Sequence, residues 1–99
     1  MAIKMSEKHK GLVGATEMIM ATEHFPSLRG IAVDWEDNTI VMCFYNDGEI
    51  SEELENDYRC VGTEVVAQYS DAYIHEEIMR VDSPQSLPQH KYWAYKRKE

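Results

Sequence analysis

The run Ile40-Val41-Met42-Cys43-Phe44-Tyr45 is the most hydrophobic stretch of the chain, and both of its neighbours are turn signals. Glu36-Asp37-Asn38 precedes it and Asn46-Asp47-Gly48 follows it, residues whose side chains and backbones accept turn geometry. Six residues are too few for a core helix and fit one strand. Ile40, Met42 and Phe44 lie on one face of that strand, and Val41, Cys43 and Tyr45 on the other. A strand apolar on both faces is a central strand, or one whose second face meets something else. The rest of the chain must therefore cover both of its faces.

Upstream, Ile31, Val33 and Trp35 alternate with Ala32 and Asp34, the period of a half-buried strand. With Thr39–Tyr45 it makes a hairpin. Ser51 then stands as a helix N-cap with Glu52 and Glu53 in the first turn, where the helix dipole favours acids. Leu54, Tyr58, Val61, Val65 and Tyr69 follow at helical spacing. Gly62 on this helix marks a close approach to another element. Asp71–Val81 alternates as a strand, and its His75-Glu76-Glu77 centre is polar enough to indicate an exposed or edge position. A loop with Pro84 and Pro88 separates it from a last strand, Tyr92–Lys96.

Before the hairpin, Leu12, Ala15, Ile19 and Thr22 recur at spacings of three and four, predicting a helix from Glu7 to about Glu23 capped by Ser6. Gly11 and Gly14 weaken it by up to ~1 kcal/mol each and allow close packing. Residues 1–6 read as a loose arm or a short leading segment. His24-Phe25-Pro26 closes the helix, because a proline drives the preceding residue out of the helical region. The expected order is α-β-β-α-β-β: one α+β domain over residues 1–99, an antiparallel sheet with both helices on one face.

Charge is the second feature. Nine acids fall between Asp34 and Asp57: Asp34, Glu36, Asp37, Asp47, Glu49, Glu52, Glu53, Glu55 and Asp57. No Lys or Arg lies between Arg29 and Arg59. The 99 residues carry a formal net charge of −8, with a pI near 4.9. Such a surface repels nucleic acid and anionic membranes and attracts basic proteins. One-signed charge over so long a stretch departs from the mixed charge of ordinary solvated surfaces. Trp35 and Tyr45 stand among the acids, where aromatics serve as interface anchors.

Chemical signatures are sparse. Asp34–Asn38 lacks the glycine and the closing Glu of a calcium loop. His75-Glu76-Glu77 has no second His at helical spacing, and His9, His24 and His90 are scattered. No metal or cofactor is expected. Cys43 and Cys60 read as small buried hydrophobes of a reducing compartment. No apolar run spans a membrane and the N-terminus has no signal-peptide core, so the expected location is the cytoplasm.

In size, charge and layout the whole chain resembles the small bacterial immunity proteins that neutralise nuclease toxins. It looks most like those of contact-dependent growth-inhibition systems. The resemblance implies a non-enzymatic inhibitor that binds one basic toxin domain, either plugging its active site or covering a nearby surface. Asp34, Trp35, Glu36, Asp37, Tyr45, Asp47, Glu49, Glu52, Glu53, Glu55 and Asp57 are the candidate contacts. The basic residues Lys91, Lys96, Arg97 and Lys98 depart from a uniformly negative surface. They either sit away from the interface or meet the acids of a second copy. A homodimeric structural or regulatory domain is the second reading.

Overall fold

The computed structural model describes residues 6–99. Helix α1 spans Glu7–Met20, and strands β1 (Leu28–Glu36) and β2 (Thr39–Asn46) form the hairpin. Helix α2 (Glu52–Val66), strand β3 (Tyr73–Arg80) and strand β4 (Trp93–Lys96) complete the chain. The predicted loose arm lies outside the described residues except for Ser6. That residue caps α1, its hydroxyl accepting the His9 N–H at 3.2 Å. Ser51 caps α2 in the same way, accepting from the Leu54 N–H at 3.0 Å.

The sheet runs β3-β2-β1-β4. β2 is central, one of the two placements its apolar faces allow, and β3 is at an edge, one of the two its polar centre allows. β1 pairs antiparallel with both β2 and β4. β2 and β3, however, are parallel, with Thr39 beside Tyr73 and Asn46 beside Arg80. The sheet is therefore mixed, and the expected all-antiparallel arrangement is corrected. The reason is length. A 15-residue helix extends roughly 22 Å and an 8-residue strand roughly 25 Å, so α2 carries the chain back to the start of β2. The next strand then runs in the same direction as β2, a βαβ crossover.

Both helices pack on one sheet face. Leu12 from α1 and Tyr58, Val61 and Val65 from α2 meet Ile31, Val33, Ile40, Met42 and Phe44 of the hairpin. Tyr58 stacks on Phe44 at 5.2 Å between ring centroids and meets the edge of Phe25 at 5.1 Å. Its hydroxyl, buried, donates to Asn46 Oδ1, which also accepts from Ser27 Oγ at 2.9 Å. Asn46 is itself fully buried, so these bonds satisfy a polar group that would otherwise cost stability.

The opposite face carries a smaller cluster of Ala32, Cys43 and Tyr45, with Met79, Leu87 and Trp93 against it. Part of the loop between β3 and β4 folds over it. Cys60, in contrast to the expected buried position, is exposed. It lies about 200° around the helix from Tyr58, off the apolar stripe.

Gly62 lies where α2 crosses β3. A Cβ added there would stand 2.0 Å from Glu76 Oε2, so that carboxylate would have to shift. Gly30 has a similar role on β1, where a Cβ would meet the Trp93 ring at 2.9 Å.

Candidate interaction surface

The hairpin distributes the nine acids between two ends of β2, separated by roughly 23 Å of strand. Asp34, Glu36 and Asp37 sit at the β1–β2 turn, and Asp37 takes the left-handed conformation there with φ of 53°. Asp47, Glu49, Glu52, Glu53 and Glu55 gather where β2 leads into α2, and Asp57 lies one turn further along the helix.

Three of the nine are committed to internal bonds. Asp34 Oδ1 lies 2.8 Å from His9 Nε2 and accepts the Trp35 N–H at 2.7 Å. Glu55 pairs with Arg59 one turn later, at 3.2 Å. Asp47 accepts from Arg97 Nη2 at 3.0 Å and from the Ser83 N–H at 3.1 Å. The Arg97 and Ser83 hydrogen bonds lower its pKa from the usual carboxylate value. Among the described residues, Glu36, Asp37, Glu49, Glu52, Glu53 and Asp57 are exposed and form no ion pair.

The basic tail takes a course of its own. Arg97 bonds the Pro26 carbonyl at 3.0 Å, Asp47 at 3.0 Å and Glu99 at 3.1 Å. Arg29, only 3 % exposed, holds Glu99 with two parallel bonds and the Val81 carbonyl with a third at 2.8 Å. Arg97 and Glu99 are thus clasped to the body, whereas Lys91, Lys96 and Lys98 stay exposed. Lys96 stacks over Trp93 at 4.9 Å.

The two predicted anchors are placed differently. Trp35 is half-buried: its Nε1 donates to the Lys8 carbonyl at 3.2 Å, Lys8 Nζ lies 4.4 Å above its ring, and Tyr69 meets it edge-on. Tyr45 is 2 % exposed, packed against Trp93 and hydrogen-bonded to His90 at 2.5 Å. Burial above all, then the nearby Cys43 and Glu77, push its phenol up to about 12. Tyr45 is a core residue here, so the anchor role expected of it is corrected. Tyr73, at 70 % exposure, is the aromatic that the fold presents. Its place at the start of an edge strand was the available signal.

Little of this resembles a reaction centre. Burial, followed by the charge of Glu77, raises the Cys43 pKa and keeps the thiol neutral. No group of three or more His, Cys, Asp or Glu converges to hold a metal among the described residues. No described helix is long and apolar enough to cross a membrane. A cavity of about 480 Å³ is an open cleft beside Trp93 and Lys96 under the β3–β4 loop.

The described residues thus form a small α+β body with exposed, unpaired acids at the end of a βαβ unit. The family comparison gives its class: residues 20–99 match the MafI2 immunity protein family, and the chain belongs to it. No curated protein matches the chain. An immunity protein is the antidote of a toxin system, so the partner is a toxin.

Proposed function

We propose that the chain neutralises a basic, nucleic-acid-cleaving toxin of the contact-delivered kind by binding its catalytic domain in the cytoplasm. The binding surface is acidic and centres on Glu49, Glu52, Glu53, Glu55 and Asp57, with Glu36 and Asp37 forming a second group at the other end of β2. Asp34 and Asp47 support these two groups from behind, through His9 and Arg97. Trp35 stiffens the turn. The observation that carries the reading is the exposed pair Glu52 and Glu53 at the start of α2, which form no ion pair, beside a Glu55 whose only partner is Arg59 one turn on. A nuclease must attract phosphates, so its cleft is basic, and a rigid row of carboxylates competes for the same charges.

The test is capture from lysate of the native host, with the tagged chain as bait and elution by a salt gradient. One stoichiometric basic protein is expected, released at high salt, that degrades nucleic acid alone and stops when the bait is added back. Recovery of only the bait's own dimer would overturn the reading in favour of a homo-oligomer.

A further inference from the structure

Among the described residues, strand β3 has a neighbour on one side only. Its pairing with β2 uses alternate residues: the Tyr73 N–H donates to the Asn38 carbonyl at 2.9 Å and the Val81 N–H to the Asn46 carbonyl at 2.9 Å. Residues 75, 77 and 79 share that orientation, so the backbone groups of Ile74, Glu76, Ile78 and Arg80 point to the open side. An eight-residue row of this kind is a template for another strand.

A second copy of this chain fits the row poorly. When two copies pair antiparallel about a twofold normal to the sheet, side chains meet only in same-face registers. The two registers with the fullest overlap set Glu76 against Glu76, or Glu77 against Glu77, at the axis. Like charges directly opposite are destabilising. The helix-free side of this edge also bears Tyr73, His75, Glu77 and Met79. Beyond them lies a concavity of about 220 Å³, with Val41 and Cys43 at its floor and Asp34, Glu36 and Glu77 around it. Arg80 is taken up by Asp82 at 3.0 Å. The other basic groups here are His75, 3.9 Å from Glu77, and His90 at the concavity, so the edge presents acids and no lysine.

Resting on the immunity reading, we infer that an extended segment of the toxin adds to the sheet along β3. It sets a Lys or Arg opposite Glu77 on the helix-free face and an apolar side chain near Tyr73 or Met79. Main-chain bonds provide the strength, and the acids select a basic segment over a second copy.

The experiment uses the full chain, isotopically labelled, with and without the toxin domain recovered by the bait, and follows amide exchange by NMR. In the free chain the amides of Ile74, Glu76 and Ile78 exchange at least tenfold faster than those of Tyr73, Glu77 and Met79; in the complex they slow to match. Glu77→Lys weakens the complex at least tenfold with an unchanged melting curve. A tight complex with unchanged exchange at Ile74, Glu76 and Ile78 would overturn the inference while leaving the immunity reading intact. Failure to recover a toxin would remove that reading itself. A free chain that dimerises with those three amides already protected would give the edge to a second copy and also overturn it.

Discussion

Arg29, near the start of β1, and Glu99, 70 positions later, form a two-pronged ion pair, with Nε to Oε2 at 2.7 Å and Nη2 to Oε1 at 2.8 Å. Paired planar groups of this kind are among the stronger charge-assisted contacts. The pair also relieves a guanidinium that is otherwise taken out of water. Removing one partner of a buried charge is therefore worse than never having made the pair.

The first prediction concerns acid. The Arg29 hydrogen bond, aided by Arg97, holds the Glu99 carboxyl down at about 2, against 4.5 for the ordinary group. A carboxylate with a depressed folded pKa contributes stability that is complete above the unfolded value and lost as pH falls through the folded one. The contribution should fade from about pH 4.5 to about pH 2. Glu99→Gln should lower the melting temperature at pH 7 and flatten the acid limb in that window. Calorimetry across pH checks it; parallel curves for the variant and the parent would show that the clasp contributes nothing.

Gly62 carries the second prediction. A methyl group at this position collides with Glu76, a side chain only 10 % exposed, whose Oε2 is buried without a hydrogen-bond partner. Overpacking costs typically 1–3 kcal/mol, about 4–8 °C per kcal/mol for a domain of this size. Gly62→Ala should therefore melt lower, even though alanine favours helices. An increase in melting temperature would show that the Glu76 side chain swings aside at less cost than the helix propensity gained.

The same carboxylate has the opposite pH slope to Glu99. Burial raises the Glu76 pKa, and Arg59 at 3.6 Å offsets this in part. With the folded pKa above the unfolded one, the native state holds its proton longer, so stability falls as pH rises beyond about 4.5. Glu76→Gln removes that decline and should match or exceed the parent's stability at pH 7. A loss of more than about 1 kcal/mol would mean that the Arg59 pair outweighs the burial cost.

Much of this arrangement could be read from the sequence because single elements declare themselves. Tyr58, Val61 and Val65 follow one stripe and are all buried. The two apolar faces of Ile40–Tyr45 fit a central strand, and the polar centre of β3 fits an exposed or edge position. Relationships between distant residues carry no such local mark. The parallel direction of β3 follows from helix length matched to strand length, not from any residue of β3. The destination of Arg97 depends on Asp47, 50 positions away, and a count of acids between Arg29 and Arg59 cannot include it. Tyr45 looked like an anchor because its neighbours in sequence are acids, whereas its neighbours in space are His90 and Trp93.

The last prediction separates the surface acids from the fold. Glu52 and Glu53 are exposed and unpaired, and Glu55 is shared only with Arg59. Charge reversal at all three also opposes the α2 dipole, which costs a few tenths of a kcal/mol per position and lowers the melting point slightly. Binding should suffer far more. Steering by a charged rim acts on the association rate and weakens with salt. The triple Lys variant should bind toxin at least about tenfold more weakly, or 1.4 kcal/mol, at low salt. Its deficit should shrink as salt rises, because screening removes the parent's advantage. Surface plasmon resonance at several ionic strengths reads both numbers. As the contrasting control, Val65→Asp buries an unpaired charge in the helix-sheet core at a fully buried position and should cost more than about 4 kcal/mol. If the triple variant binds like the parent while Val65→Asp fails to fold, the fold stands and the acids of α2 are only a solvated face.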